Sequence, residues 1–181
     1  LLNGSESSYA YSNNGGDTTP TWTEVTSITQ VPADVFMLGP TRIWIVGAGG
    51  YIWYSNQMGA NPVTQDAGVM TAQDLKSVSF ASSRLGYVAG AANAFGYTEN
   101  GGANWTARTG PAVATVLNVV KAVPNEDALF VGSAAGNLYR SKDRGQTWET
   151  VFTANTTTSG GITDIGVEET NLITFSALNS T

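Results

Sequence analysis

The stretch SKDRGQTW, residues 141–148, determines how the rest of this 181-residue sequence is interpreted. Moving back from Ser141 in steps of 43 residues reaches a small hydroxyl residue each time: Thr98, Ser55 and Ser12. The same steps from Gly145 reach a glycine each time: Gly102, Gly59 and Gly16. A period of this length indicates a repeat architecture in which each repeat is one supersecondary unit.

Two more positions of the octet recur, with substitutions. Asp143 corresponds to amide residues at the earlier steps, namely Asn100, Gln57 and Asn14. Trp148 corresponds to Trp105, whereas Pro62 stands in the next copy back and Trp22 takes this place in the first copy, after a short insertion. The octet with Thr147 is therefore the most complete of four related turns.

Strand-like sequences surround each turn. Before it come two apolar runs joined by a Gly/Ala turn, in the segments IWIVGAGGYIWYS (43–55), LGYVAGAANAFGYT (85–98) and ALFVGSAAGNLYRS (128–141). Further upstream lie short runs rich in β-branched residues: DVFML (34–38), LKSVSF (75–80), LNVVKA (117–122) and ITDIGV (162–167). Each repeat thus predicts four strands, a to d, and places the octet in the turn between c and d.

The octet's chemistry fits a turn better than a reaction centre. An aspartate such as Asp143 accepts hydrogen bonds from backbone N–H groups a few residues on, and Gly145 can adopt positive φ. Ser141 and Thr147 can satisfy further backbone groups, while Trp148 can bury its ring between sheets. Because Asn and Gln replace Asp143 in the other copies, we expect a structural staple and no carboxylate-dependent reaction.

Four strands in a repeat of 43 residues predict the blade of a β-propeller. A solenoid of helix pairs is excluded because the sequence lacks helical periodicity. WD repeats are excluded because their Trp-Asp and Gly-His signatures are missing, and kelch repeats are longer. We therefore predict an all-β propeller of four-stranded antiparallel blades.

The octet resembles the Asp-box, or BNR repeat, at Ser141, Asp143, Gly145, Thr147 and Trp148. TENGGANW (98–105) is similar, with Asn100 in place of the aspartate, and the segments 12–22 and 55–62 are degenerate copies. Proteins with this repeat include sialidases, xyloglucan hydrolases, sortilin-type receptors and photosystem II assembly factors. The resemblance implies a propeller and does not imply one activity.

The period divides the chain into five units that together make a little over four repeats. Residues 1–27 and 156–181 are half blades, and residues 28–68, 69–110 and 111–155 are full blades. Two interpretations stay open: a segment of a larger propeller, or a four-bladed ring closed by the two halves. Unpaired strands invite association, so a homo-oligomer or contact with the rest of a larger propeller is expected.

Composition excludes several classes of function. The net charge of -6 argues against a nucleic-acid partner, and no apolar run is long enough for membrane insertion. The absence of histidine removes the commonest general base and metal ligand, and the absence of cysteine removes thiolate ligands. We predict no cofactor, no metal and no catalytic residue within the chain.

Charged residues away from the Asp-boxes define one candidate ligand face. We predict that Asp34, Asp66, Asp74 and Arg108 lie in connections between blades, on the face opposite the Asp-boxes. A two-carboxylate glycosidase would draw its acid and base from these aspartates, although loop carboxylates are usually just solvated. Aromatic residues on strands b and c are expected to form core between blades and not a sugar-stacking platform.

These observations predict a non-catalytic scaffold or binding module that contacts protein or glycan, located extracellularly or on a virion surface. The alternative is part of a sialidase-like or other glycoside hydrolase whose catalytic residues lie partly outside this stretch. A photosystem-type assembly factor resembles the repeat pattern too, but the arginine-rich patch of that group has no counterpart here.

Overall fold

The computed structural model describes residues 7–15, 17–68, 70–111, 115–154, 160–167 and 173–177. Its strands are β1 (Tyr9–Tyr11), β2 (Thr23–Val25), β3 (Pro32–Leu38), β4 (Arg42–Gly47), β5 (Tyr51–Ser55), β6 (Val63–Ala67), β7 (Leu75–Phe80), β8 (Gly86–Gly90), β9 (Ala94–Thr98), β10 (Thr106–Thr109), β11 (Leu117–Ala122), β12 (Leu129–Ser133), β13 (Leu138–Ser141), β14 (Glu149–Phe152), β15 (Ile162–Val167) and β16 (Ile173–Ala177). Two single 3₁₀ turns, 48–50 and 91–93, join β4 to β5 and β8 to β9. The predicted all-β class is confirmed.

Neighbouring strands pair antiparallel in sequence order. Sheet I contains β3–β6, sheet II contains β7–β10 and sheet III contains β11–β14, each with the four strands in consecutive order. Two smaller sheets flank them: the first pair, β1 with β2, and the last pair, β15 with β16. The predicted four-stranded antiparallel sheets are thus present, while the exact unit boundaries stay a prediction from sequence.

The second strand of each sheet has an almost continuous apolar sequence because both of its faces are covered. Strands β8 and β12 are buried at every position, and β4 is buried from Ile43 onward. Fourth strands such as β14 lie at the outer edge and are exposed. The burial gradient across each sheet therefore follows the apolar-to-polar gradient of the sequence.

The hydrophobic core consists of separate layers between adjacent sheets. Trp44 and Ile52 of sheet I pack with Leu75 and Phe80 of sheet II in one layer. Corresponding layers join the first pair to sheet I, sheet II to sheet III, and sheet III to the last pair. Stacking of one sheet against the next is what repeat architectures use to bury a face that a single unit cannot cover.

A β-bulge recurs near the start of strand a in all four described copies. The pairing register shifts at the second residue, which is Ala33 in β3, Lys76 in β7, Asn118 in β11 and Thr163 in β15. These four residues have no side-chain chemistry in common, so the bulge leaves no recognisable pattern in the sequence. These four strands, β3, β7, β11 and β15, lie beside one another in chain order and are called the inner strands, and the bulge takes the same place in each of them.

None of the helices in the described part of the chain has the length and apolar character that a bilayer span requires.

Candidate functional site

The turn around Asp143 is held by a dense set of hydrogen bonds. Oδ1 of Asp143 accepts from the hydroxyl of Ser141 at 2.8 Å and from the backbone N–H groups of Gln146 at 3.0 Å and Thr147 at 2.8 Å. Oδ2 accepts from the Thr147 hydroxyl at 2.5 Å. Oγ of Ser141 in turn accepts from the N–H groups of Asp143 and Gly145, at 3.3 and 2.8 Å. Both carboxylate oxygens therefore serve the turn.

Two other turns repeat this pattern with asparagine. Thr98 donates to Oδ1 of Asn100 at 2.9 Å and accepts from the N–H of Gly102 at 2.8 Å, as Ser141 does with its own partners. Ser12 donates to Oδ1 of Asn14 at 2.9 Å. An amide oxygen thus replaces the carboxylate oxygen, which favours a structural role for the residue.

The turn at Ser55 departs from the pattern. Its hydroxyl donates to the carbonyl of Ala60 at 2.5 Å and accepts from the N–H of Gln57 at 3.1 Å. Gln57 instead accepts from the side chain of Asn61 at 2.8 Å. Gly59 keeps its positive φ of 99°, so the turn is preserved with different bonds.

Hydrogen bonding also sets the charge state of Asp143. The side-chain and backbone donors of Thr147 lower the pKa of Asp143 from 3.8 to about 2, helped by Ser141 and Gln146. The group is therefore ionised throughout the neutral range. A general acid needs the opposite shift, so this carboxylate is unsuited to donate a proton near neutral pH.

The glycine of each turn lies against the preceding sheet. Gly145 has φ of 79°, and a Cβ there would stand 2.3 Å from Cε1 of Phe95. Gly102 has φ of 88°, and a Cβ there would stand 1.9 Å from Oε1 of Gln65. Only glycine combines this φ with such close approach, so the turns fasten adjacent sheets together.

Two of the three predicted tryptophans occupy equivalent positions. Trp148 packs edge-on against Phe95 of sheet II at 5.1 Å and donates to the carbonyl of Thr109 at 3.2 Å. Trp105 packs edge-on against Phe80 of its own sheet at 6.0 Å, donates to Oε1 of Gln65 in sheet I at 3.4 Å and adjoins the core layer between sheets I and II. Both rings precede their strand d by one residue and cover the sheet before their own.

Trp22 differs from them, because 54% of its surface is exposed. It adjoins the first pair, where the described residues contain no sheet preceding it. Gly16, the predicted glycine of the same turn, lies outside the described residues. At this turn the structure therefore shows the predicted bond between Ser12 and Asn14, and the place of the glycine stays a prediction.

An ionic cluster links sheets II and III beside the Asp143 turn. Arg144 pairs with Asp127, with Nε to Oδ1 at 2.7 Å, and also with Glu99. The backbone carbonyl of Arg144 accepts from Nη1 of Arg108 at 2.6 Å, and the same guanidinium lies 3.8 Å above the ring of Tyr97. Arg144 and Arg108 are thus engaged in contacts between sheets II and III.

The structure places three of the four predicted ligand-face residues in strands and not in connections, while their role in binding stays a prediction. Arg108 lies in β10, Asp34 in β3 and Asp66 in β6, whereas only Asp74 lies in a connection. Arg108 points towards the Asp143 turn, and so does not lie on the opposite face. Strand d extends to Thr109 in β10 and to Ala67 in β6 and so includes Arg108 and Asp66, while Asp34 belongs to the run 34–38 that forms strand a.

Each of these residues has a structural partner. The carboxylate of Asp34 accepts from the N–H groups of Val35 and Val78, at 2.8 and 2.9 Å. Asp74 accepts from the N–H of Gly49 at 2.9 Å, and Asp66 accepts from the N–H of Met70 at 3.2 Å. Among the described residues, no three acidic side chains gather into a group that could hold a metal ion.

The four inner strands border a polar groove of about 330 Å³. Its charged lining comes from every copy of strand a: Asp34, Lys76, Lys121 and Asp164. Side chains bridge the strands here, since Ser79 accepts from the N–H of Ala122 at 3.0 Å. Two carboxylates and two lysine ammonium groups therefore line the groove. This lining suits the binding of a polar ligand better than catalysis of a reaction at one bond.

The aromatic residues of strands b and c are core, as expected. Trp44, Trp53 and Phe95 are almost fully buried, and Tyr139 is buried as well. Tyr54 and Tyr97 are half-buried and pack against the core layers. They do not form an exposed sugar-stacking platform.

Comparison with known proteins finds similarity in structure. A solved structure described as YCF48 bound to D1 peptide matches with a TM-score of 0.66 at 17% identity, covering 92% of this chain and 50% of that one. YCF48 from Cyanidioschyzon merolae matches with a TM-score of 0.62, also at 17% identity, covering 84% of this chain and 58% of that one. The chain thus spans half to three-fifths of these structures.

No protein-family model matches the sequence, and no curated protein sequence does. Similarity at 17% identity speaks for the fold alone. The match in overall structure agrees with the 43-residue repeat, the consecutive four-stranded sheets and the layered core. The chain therefore has the β-propeller fold, built from four-stranded antiparallel blades.

Proposed function

We propose that this chain is a non-catalytic propeller scaffold that binds an extended segment of a partner protein in the groove of its inner strands. The observation that carries the proposal is the groove itself, in which each of the four inner strands supplies polar or charged lining. The similar structure that contains a D1 peptide supports peptide binding by this fold. That peptide is a ligand of YCF48, and here it indicates only the class of partner.

Charge placement gives the partner's chemistry. Lys76 and Lys121 lie on the two middle strands, while Asp34 and Asp164 lie on the two outer ones. Lys76 also approaches Asp74 at 3.7 Å in a half-exposed pair of little energetic value. The two lysines are therefore open to an acidic side chain or a carboxylate near the middle of a bound segment.

We also propose that the turns belong to the Asp-box class. The support is the shared bonding of Ser141 with Asp143 and of Thr98 with Asn100. In this proposal the turns stabilise the scaffold and take no part in binding. Extracellular or virion-surface location remains a proposal resting on composition, as does any contact with glycans.

Selection of displayed random peptides on the immobilised chain tests the binding proposal. We expect recovered peptides to carry acidic residues, and their affinity to fall several-fold in Lys76→Ala and in Lys121→Ala. Lys142→Ala is the matched control, because Lys142 is exposed in the Asp143 turn and lies outside the groove. Binding that survives both groove substitutions, or falls equally in the control, contradicts the proposal.

A glycan array with a matched hydrolysis assay covers the other candidates. The proposal predicts no turnover of sialosides or β-glucans by the 181 residues. Hydrolysis of any of them would show that the chain is an enzyme and would overturn the non-catalytic role. Glycan binding without hydrolysis would contradict the proposal that the ligand is a peptide.

A further inference from the structure

The inner strands pack side by side in chain order. Strand β3 lies beside β7, β7 beside β11, and β11 beside β15. The recurring bulge aligns them, so that Val35 corresponds to Val78 and Val120, and Met37 corresponds to Phe80. The surroundings of a residue in one inner strand can therefore be compared with those of the equivalent residue in the others.

Sheet I exposes residues whose counterparts are buried. Val35 is 44% exposed and Met37 57%, whereas Val78 is 3% exposed and Phe80 5%. In sheets II and III the preceding sheet covers these positions with its own core layer. The first pair leaves them open, at an apolar cavity of about 270 Å³ that Trp22 also lines. Among the described residues, no inner strand of the β15 type covers this surface.

The opposite end has the complementary feature. A cavity of about 720 Å³ lies between sheet III and the last pair. Its wall includes Ala128, Phe130 and Arg140. These are the residues 43 positions after Leu85, Tyr87 and Tyr97, which belong to the core layer that Trp148 covers. Further back, Trp44 and Tyr54 belong in the same way to the layer that Trp105 covers.

The repeat therefore specifies the occupant of this cavity. In both corresponding places, a tryptophan from the c–d turn of the next sheet fills the space. Trp22 is the one tryptophan of such a turn in the described chain that is mostly exposed. The Ser12 to Asn14 bond of its turn matches the Thr98 to Asn100 and Ser141 to Asp143 bonds of the turns that hold the two half-buried rings.

We propose that two copies of this chain associate head to tail, with Trp22 of one copy in the 720 Å³ cavity of the other. In the same contact, β15 and β16 of the second copy cover Val35 and Met37 of the first. The interface is heterologous, because the two surfaces that meet are different parts of the chain.

Sedimentation of the 181-residue chain over a range of concentrations tests the proposal. We expect a concentration-dependent assembly, lost in Trp22→Ala, which removes the inserted ring, and in Ala128→Trp, which fills the cavity from within. Val63→Asp is the control, because Val63 is exposed on the outer strand β6, away from both surfaces. Unfolding midpoints of each variant show whether the fold is intact.

Mixing the two defective variants gives the sharpest result. Ala128→Trp still carries Trp22, and Trp22→Ala still has an open cavity, so an equimolar mixture should form one good contact and recover a heterodimer. No recovery would contradict a heterologous contact of this kind. A chain that stays a single copy at every concentration, or an assembly unchanged by both substitutions, would overturn the proposal. The peptide assay is independent of these outcomes.

Discussion

Gly145 lies so close to the ring of Phe95 that the two residues fasten sheet III to sheet II. A Cβ at Gly145 would stand 2.3 Å from the ring, and the φ of 79° disfavours any other residue there. The last turn of sheet III thus depends on a residue of the sheet before it. This dependence makes the Asp143 turn a joint between repeats as well as a link within one.

Replacing Gly145 should therefore destabilise the protein. We expect Gly145→Ala to lower the free energy of unfolding by about 2 kcal/mol or more, because strain and overpacking add. Urea titration followed by tryptophan fluorescence measures this. Gly15→Ala is the control, because a Cβ there would meet nothing closer than 3.9 Å. Equal effects of the two substitutions would contradict the joint.

Acid should weaken the protein partly through Asp143. The folded pKa of about 2 lies below the ordinary 3.8, so this carboxylate contributes stability above about pH 4. That contribution is lost as the pH falls through 2. Asp143→Asn keeps an acceptor oxygen, as Asn100 does, and should flatten the loss of stability between pH 4 and 2. An unchanged acid profile in Asp143→Asn would show that the shift is unimportant.

The two kinds of tryptophan environment predict different costs. Trp148→Ala should lower the free energy of unfolding by about 2–3 kcal/mol, since a half-buried ring and its bond to Thr109 are lost. Trp22→Ala should cost less than about 1 kcal/mol at dilutions where the chain is a single copy. Thermal unfolding of both variants distinguishes them, and similar costs would place Trp22 in a packed site.

The ionic cluster should give a small, salt-dependent contribution. Arg144→Met removes the pairs with Asp127 and Glu99, and we expect a loss of about 0.5–1 kcal/mol at low ionic strength. Added salt should reduce the difference from the parent chain, because these side chains are partly exposed. Arg42→Met removes the same charge and serves as the control. The stability difference between Arg144→Met and the parent chain should shrink with added salt more than the difference for Arg42→Met does.

The strands could be predicted from the sequence because buried strands appear in it as short apolar runs. The apolar runs 75–80 and 117–122 coincide with β7 and β11. Turn chemistry was equally readable, since Ser141, Asp143 and Gly145 use short-range bonds that depend on spacing alone.

Features that depend on neighbouring sheets were not predictable. The placement of Arg108 in a strand and its bond to Arg144 arise from packing across two repeats, 36 residues apart. The exposure of Trp22 depends on what precedes its turn in space. The bulges were missed because Ala33, Lys76, Asn118 and Thr163 share a position and no side-chain property.

The bulges allow the inner surface of the protein to vary in sequence. Each inserted residue lies outside the regular ladder and lines the groove of the inner strands, and Asn118 also donates to the carbonyl of Ile162 at 3.0 Å. Substitution at the three exposed positions, Ala33, Lys76 and Thr163, should cost little stability while altering the innermost surface of the molecule. Such a framework can acquire new specificities one residue at a time without rebuilding its core.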